Sequence, residues 1–516
     1  MTTIAELREQ VRGPVVEPGD DGYEELRLVH NGMHDRRPAL IVRAAATTDA
    51  VAVVNYARDA GLDLAVRGGG HSVPGYGTCD GGVVLDLSPV NNVFVDRVKR
   101  TARVGGGATW GDFDHATHAY GLATTGGIIS TTGVAGLTLG GGIGYLTRGC
   151  GLSCDNLVSA EVVTADGRIL VASEYENEDL FWALRGGSGN FGVVTSLELS
   201  LHPVETIYGG PMFYELDDAA AVMRAYDDYI QEAPEQLGAF FGWQLAPPLP
   251  FIPEDRHGDR FCVMITCWSG RPEQGEQAIK PFRDVAEVKA EFVGPMPYPA
   301  LNAAFDALIP KGTRQYWKAD FVRDLPDEAI ATHVEHGPRV PTLSSTMHVY
   351  SINGAAGRVG PEESAFGHRE ARYAMVIAGF WPDPADDEAV IRWVRDYYAA
   401  VHPYSGMLLC QKRTVTARDV AGVIQRTAAA TEAVLPRLAS GEAQLLEPTA
   451  GTLDRAHPNY RLRSAPLVSL GPAVAYHRRS ASDIDRKVID HMRAGVRHDQ
   501  QRHGPAHFRR RRLSGA

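Results

Sequence analysis

The sequence predicts an α+β fold, and two patterns along the chain indicate it. In the first 200 residues, short runs rich in Leu, Ile and Val flank a helical pattern at residues 50–60, which gives the order strand, helix, strand. Beyond residue 205, apolar and aromatic runs alternate with helical spacing at residues 217–231 and 387–401. The second pattern is typical of an antiparallel sheet that helices cover on one face, with the other face free for a substrate.

Length and composition restrict the class of protein. A chain of 516 residues exceeds what one hydrophobic core usually serves, so we expect at least two domains. The net charge of −12 argues against nucleic-acid binding. The polar start and the lack of a long apolar run predict no signal peptide, no membrane contact and a cytoplasmic location. The six cysteines lack paired spacing, so we expect reduced thiols and no metal site.

A glycine run with a histidine at its tip reads RGGGHS at residues 67–72. Such a run lets backbone N–H groups approach an anion closely, and the histidine adds a nucleophilic ring nitrogen. The loop lies between two strands, so it is not the strand-to-helix turn of a Rossmann fingerprint. The motif indicates a phosphate-bearing cofactor, although alone it is equally typical of an ordinary tight loop.

Three more motifs follow before residue 195. Residues 126–144 read GGIISTTGVAGLTLGGGIG, which is too rich in glycine for a normal helix. In residues 151–168, Asp155 and Asn156 can fix a turn, and a hairpin turn follows. Residues 184–194 read LRGGSGNFGVV and are typical of another backbone clamp before a strand. Single glycines are more often structural, but several such loops together indicate an extended ligand.

In this order, the four motifs resemble those of the FAD-linked oxidoreductases of the vanillyl-alcohol oxidase superfamily, and within it the berberine bridge enzyme-like group. The resemblance covers residues 30–404. It implies a PCMH-type FAD-binding domain of two α+β subdomains at residues 1–204. It also implies a substrate-binding domain at residues 205–405, whose antiparallel sheet covers the flavin ring and is backed by helices.

The resemblance implies FAD that is covalently attached through His71. Some members add a second bond from a cysteine in the next glycine loop, but that position aligns with Ile129 here, so we expect a single attachment. The remaining flavin contacts are expected from the four motifs at Arg67, Gly68, Gly69, Gly70, Ser72, Gly136, Gly140, Gly142, Gly144, Asp155, Asn156, Val162, Val163, Gly187, Asn190, Gly192 and Val194.

Two segments of the second half, RQYWKADF and GHREARY, resemble family segments that line or support the active site. A tyrosine can remove the proton of the substrate if a cation such as Lys318 or Arg369 lowers its pKa. A half-buried packing role is the alternative for each polar residue there, His348 included. The catalytic candidates are Tyr316, Lys318, His368, Tyr76 and Tyr145.

The implied activity is that of an FAD-dependent oxidoreductase, specifically an oxidase. Hydride would pass from an alcohol, a sugar hemiacetal or a secondary-metabolite amine to FAD, and oxygen would reoxidise the flavin with release of hydrogen peroxide. The expected partners are therefore a small-molecule substrate and oxygen, and the oligomeric state stays open.

Residues 406–516 depart from the family pattern. The Tyr-x-Asn segment that often carries the catalytic tyrosine is missing after Ser405, and the chain becomes basic and irregular. A shifted reading frame near residue 406 and a solvated or disordered tail are the two explanations. This departure leaves two alternatives to an active oxidase: a protein that binds flavin but is catalytically silent, and a dehydrogenase with another electron acceptor.

Overall fold

The computed structural model describes residues 2–405, and the prediction for residues 406–516 lies outside them. The predicted α+β class is confirmed, since helices accompany three small sheets and one large antiparallel sheet in the described residues. None of the helices in residues 2–405 is long and apolar enough to cross a membrane.

The first sheet is mixed and lies near the N-terminus. Its strand order is β1-β2-β4-β3, in which β4 runs parallel to both of its neighbours and β1 runs antiparallel to β2. Helix α3 connects β2 to β3 and buries Ala50, Val53, Val54 and Ala57, the single apolar face that its helical spacing predicts. The elements are β1 (Val15–Val16), β2 (Leu40–Arg43), β3 (Leu64–Arg67), β4 (Val83–Asp86), α1 (Ile4–Gln10), α2 (Tyr23–Leu26) and α3 (Thr47–Ala60).

The second sheet follows directly and is antiparallel, with the order β5-β6-β10-β8-β9, while β7 and β11 pair separately. The glycine-rich residues 126–144 do contain a helix, α5, but it is short because glycines lie at both of its ends. The elements are β5 (Val93–Asp96), β6 (Thr101–Gly105), β7 (Leu122–Ala123), β8 (Leu157–Val163), β9 (Ile169–Ser173), β10 (Val193–Ser200), β11 (His202–Pro203), α4 (Trp110–His118), α5 (Val134–Leu139), α6 (Thr147–Cys150) and α7 (Glu178–Leu184).

The third sheet has eight antiparallel strands in the order β15-β12-β14-β13-β18-β19-β17, with β16 also paired to β12. It is formed by the second half of the described chain. The elements are β12 (Thr206–Tyr214), β13 (Leu237–Leu245), β14 (Arg260–Trp268), β15 (Ala290–Glu291), β16 (Gly294–Pro297), β17 (Arg314–Val322), β18 (Thr346–Ser351), β19 (Tyr373–Trp381), α8 (Ala219–Glu232), α9 (Gly275–Asp284), α10 (Tyr298–Asn302), α11 (Asp327–His336), α12 (Ala355–Arg358) and α13 (Asp387–Val401).

Helices cover one face of this large sheet. Met347 and Val349 of β18 pack into a core that also contains Val222 of α8, Ile279 of α9 and Val394 of α13. Because side chains alternate along a strand, the residues between them point to the opposite face. That face is left for the site described below.

The five cysteines that the structure describes are free thiols: Cys79, Cys150, Cys154, Cys262 and Cys267. Burial raises the pKa of each of them, for example to about 11 at Cys79 and to about 12 at Cys154.

Candidate functional site

A cavity of about 740 Å³ is lined by the glycine motifs of the first half and by the helix-free face of the large sheet. From the first half come residues 66–72, parts of residues 127–143 and the loop at residues 188–194. From the second half come residues of β17 and β19 and the alternate residues of β18. Its size lies in the range of sites for small molecules and cofactors, so it is the candidate site.

The loop after β3 forms one wall because its glycines cross another glycine loop. A Cβ at Gly69 would lie 2.3 Å from the backbone nitrogen of Gly133, so a side chain at position 69 is excluded. Gly70 has a φ of +73°, a conformation that residues with a Cβ rarely adopt. The glycine run therefore exposes backbone to the cavity, as the sequence predicts for an anion site.

Arg67 ends β3 and belongs to the cavity wall. Its Nη2 lies 3.2 Å from a carboxylate oxygen of Asp86, and both side chains are buried. Its Nη1 is buried as well and has no hydrogen-bond partner among residues 2–405. The guanidinium group is therefore held in a buried ion pair beside the glycine run.

His71 lies in the same wall, beside two threonines of the neighbouring loop. Its Nε2 is 3.0 Å from Thr131 Oγ1, and its Nδ1 is 3.4 Å from Thr132 Oγ1. The ring of His30 stacks on it with the centroids 3.8 Å apart. Burial, with a smaller contribution from His30, lowers the pKa of His71 to about 3. The imidazole is therefore neutral at neutral pH, the state in which one ring nitrogen can act as a nucleophile.

The other predicted flavin contacts divide into two groups. Besides the loop residues Arg67, Gly68, Gly69, Gly70, His71 and Ser72, the cavity is lined by Gly136, Gly140, Gly142, Gly192 and Val194, and by Ile129. Gly144 instead packs against Gly126, since a Cβ there would lie 1.8 Å from the carbonyl oxygen. Gly187 and Asn190 are joined by a hydrogen bond within their loop and are not in the cavity wall.

Asp155, Asn156, Val162 and Val163 are placed by the fold away from the cavity wall. Asp155 accepts two hydrogen bonds from the guanidinium group of Arg369, at 2.6 and 2.8 Å, and this ion pair is buried. Asn156 donates to two backbone carbonyls of its own turn. Val162 and Val163 pack in hydrophobic cores. These residues support the loops that form the site, and none of them faces the cavity.

The catalytic candidates of β17 point away from the cavity. Tyr316 contacts Arg395 of α13, and the ammonium group of Lys318 lies over the ring of Tyr398 on the same helix. Side chains alternate along the strand, and Trp317, Ala319 and Phe321 line the cavity, together with Asp320 at the end of the strand. Neither Tyr316 nor Lys318 therefore lies in the wall of the candidate site.

The remaining candidates differ in their surroundings. Tyr76 is 75% exposed and lines the cavity. Tyr145 is buried in a hydrophobic cluster against Phe240, and burial raises its pKa well above 10. His368 stacks on Phe321 with the ring centroids 4.1 Å apart, so it contacts a residue of the cavity wall from behind. Only Tyr76 among these five candidates reaches the cavity directly.

Three polar side chains of β18 complete the wall. Thr346, His348 and Tyr350 alternate with the core residues of that strand and line the cavity together. The sequence identifies His348 as a polar candidate, but it does not predict the hydrogen-bond partners of His348. It also does not predict that the ring of His30 stacks on that of His71. Side chains alternate along β18, so the sequence would predict that Thr346, His348 and Tyr350 lie together once it was known which face of the strand is buried.

Comparisons with known proteins agree with this geometry. Residues 38–173 match the family described as FAD binding domain. The chain is 29% identical over 406 residues to an FAD-linked oxidoreductase of Dictyostelium discoideum, which corresponds to 78% of this chain and 86% of that protein.

Two solved structures share the fold. The crystal structure of 6-hydroxy-D-nicotine oxidase from Arthrobacter nicotinovorans has a TM-score of 0.68 at 26% identity and covers 76% of this chain and 86% of that one. BBE-like 1 from Physcomitrella patens has a TM-score of 0.69 at 21% identity and covers 78% of this chain and 89% of that one.

Proposed function

Because the chain is an FAD-linked oxidoreductase with a PCMH-type FAD-binding domain, we propose that it is an oxidase with FAD held covalently at His71. In this proposal residues 1–204 hold the cofactor and residues 205–405 form the substrate site. The observation that carries it is that His71, the crossing glycines and the open face of the large sheet line one cavity.

The residues of the cavity fit FAD. Its pyrophosphate needs close N–H groups, and these would come from the backbone of residues 68–70 in the cavity wall, beside the buried ion pair of Arg67 with Asp86. The length of the dinucleotide needs more than one glycine loop, and the loops at residues 127–143 and 188–194 line the same cavity. We therefore assign the pyrophosphate to the loop at residues 67–72. The other flavin contacts predicted from the sequence are proposed together, as one group of residues around the cofactor.

The covalent link is proposed at His71 alone. One C–H bond of the 8α methyl group of the flavin would be replaced by a bond to the unprotonated nitrogen of the neutral imidazole, and the two electrons and two protons released would pass to oxygen as hydrogen peroxide. Ile129 has no nucleophile for a second bond. When bound, FAD would accept hydride from the substrate and pass the electrons to oxygen, which would give hydrogen peroxide. The chain itself supplies the binding of the substrate, the exclusion of water and the removal of a proton.

The substrate wall favours a small molecule with an apolar body. Trp317, Phe321 and Phe380 line it, and its polar groups include the three side chains of β18 together with Asp320 of β17 and Gln244 of β13. An aromatic alcohol or amine fits this distribution, since flat apolar rings stack on aromatic side chains and a single polar group can meet the threonine, histidine and tyrosine. The name of the related 6-hydroxy-D-nicotine oxidase supports an amine as one of the classes to test.

Acid denaturation tests the covalent link. We expect the flavin of the wild-type protein to precipitate with the polypeptide, and the flavin of a His71→Ala variant to remain in the supernatant. His115→Ala is the matched control, because His115 is exposed on α4 and should leave the flavin attached. Flavin that is fully extracted from the wild type would refute the link.

A substrate panel tests the oxidase activity. The wild-type protein, with its flavin content measured, is mixed with aromatic alcohols, sugars and amines, and hydrogen peroxide is recorded. We expect peroxide from at least one member of the panel. Anaerobic bleaching of the flavin without rapid reoxidation in air would indicate a dehydrogenase, and a flavin that no compound reduces would indicate a silent protein.

A further inference from the structure

We propose that Oη of Tyr350 accepts a hydrogen bond from the substrate's hydroxyl or amino group, and that His348 and Thr346 hold the phenol in the orientation that allows this. The proposal rests on the proposed function and assigns one part of it to a residue. It follows from the hydrogen-bond chain along one face of β18 and from the position of that face in the cavity wall.

The three side chains lie in a row because they occupy alternate positions of one strand. Space for the imidazole ring is provided on the neighbouring strand by Gly242, where a Cβ would lie 2.7 Å from Cδ2 of His348. The ring of Phe240 packs against both aromatic partners, with centroids 4.7 Å from His348 and 4.7 Å from Tyr350. The row is therefore fixed by packing as well as by hydrogen bonds.

The direction of each hydrogen bond in this row of side chains can be assigned by starting from Thr346. Thr346 Oγ1 is 2.9 Å from the carbonyl oxygen of Trp243, which can only accept, so the threonine hydroxyl donates there. The same oxygen must then accept from Nε2–H of His348, which is 2.9 Å away. Burial lowers the pKa of His348 to about 3, so the ring carries one proton, and that proton is on Nε2.

The consequence appears at the other end of the row. Nδ1 of His348 carries no proton and accepts the phenol proton of Tyr350, whose Oη is 2.6 Å away. The phenol proton is thus engaged inside the wall, and the remaining lone pair of Oη is available to the cavity. A ligand must offer an O–H or N–H group to bond there, and a ligand with only acceptor atoms cannot.

The row orients a substrate and does not take up its proton. A second proton on His348 is disfavoured because burial lowers the pKa of its imidazole to about 3, and burial raises the pKa of Tyr350, so the phenol keeps its own proton. Tyr350 would contact the substrate in this arrangement, whereas His348 and Thr346 are positioning residues.

Binding of two probes tests the acceptor without relying on turnover. Benzyl alcohol carries a donor, and benzyl methyl ether has a similar shape without one. We expect perturbation of the flavin absorbance to show that the wild-type protein binds the alcohol about tenfold more tightly or better. Tyr350→Phe should remove this preference, and Tyr208→Phe, which removes a phenol hydroxyl that contacts Glu276 at the surface, should keep it. Equal affinity of the wild type for both probes overturns the proposal.

Anaerobic flavin reduction tests whether the same contact holds a substrate. With a substrate from the panel, Tyr350→Phe should raise the dissociation constant about tenfold or more. Thr346→Ser retains the hydroxyl and should retain the affinity, whereas Thr346→Val should lower it. A Tyr350→Phe dissociation constant close to that of the wild type overturns the assignment. Preference for the alcohol probe together with a flavin that nothing reduces contradicts the oxidase function and leaves the acceptor supported.

Discussion

Asp114 of α4 provides a test of how burial affects stability. Its Oδ2 accepts a hydrogen bond of 2.6 Å from the side chain of Asn302 in α10, and its Oδ1 has no partner among the described residues. Burial raises the pKa of Asp114 to about 7, and the hydrogen bond from Asn302 offsets only part of this effect. The carboxyl group joins the first half of the chain to the second, so its ionisation affects the contact between them.

The sign of the effect follows from the two pKa values. Between the unfolded value of 3.8 and about 7, the folded protein keeps the proton of Asp114 and the unfolded chain loses it. The free energy of unfolding therefore falls as the pH rises through this window. At about 1.4 kcal/mol per pKa unit, the total is about 4 kcal/mol, of which about 3 kcal/mol falls between pH 5 and pH 8.

Asp114→Asn removes this ionisation and keeps an oxygen that can accept from Asn302. We expect the free energy of unfolding of the variant, relative to the wild type, to rise by about 3 kcal/mol from pH 5 to pH 8. Urea unfolding followed by tryptophan fluorescence measures the difference at each pH. Asp217→Asn, at an exposed position, controls for the loss of one negative charge. If the free energies of unfolding of Asp114→Asn and of the wild type, plotted against pH, stay parallel from pH 5 to pH 8, the reasoning is refuted.

Two further substitutions test the packing around the site. Gly69→Ala places a Cβ 2.3 Å from the nitrogen of Gly133, so we expect a lower flavin content and a lower melting temperature, whereas Gly357→Ala, at an exposed position of α12 with open space around it, should change neither. Arg148→Lys should lower the free energy of unfolding by about 3 kcal/mol, since the buried guanidinium donates to four backbone carbonyls at the end of α8 and an ammonium group cannot reach them all. Arg358→Lys, at an exposed ion pair, should cost less than about 1 kcal/mol in the same urea titration, and equal losses for the two arginines would contradict this account.

The sequence predicts those parts of the fold whose cause is local. Helix α13 begins and ends where the helical spacing indicates, at Asp387–Val401, because its apolar positions repeat within one continuous segment. The glycine run after β3 can likewise be recognised in the sequence. Glycine is required there because the crossing of Gly69 with Gly133 leaves no space for a side chain. Asp155 does cap its own turn by accepting from the backbone of Leu152, as its type and position indicate.

The parts that the sequence does not predict depend on distant partners. Asp155 also binds Arg369, which is 214 residues further along the chain, and no local pattern specifies this pair. On β17 the polar residues Tyr316 and Lys318 attract notice, but the side of the strand that meets the cavity is decided by where α13 packs. A strand with polar residues at alternate positions and aromatic residues between them does not reveal which set is covered.

The stacking of His30 on His71 shows how the two halves of the site depend on each other. Gln315 of β17 bonds to Nδ1 of His30 at 2.6 Å, and Asn31 accepts from the backbone nitrogen of Gln315 at 3.0 Å. Gln315 lies on the same face of β17 as Trp317, which lines the cavity. One strand therefore positions both the ring behind His71 and part of the substrate wall. A shift of β17 by one residue would disturb the environment of His71 and replace Trp317 in the cavity by a neighbour, so the two walls of the cavity must form together.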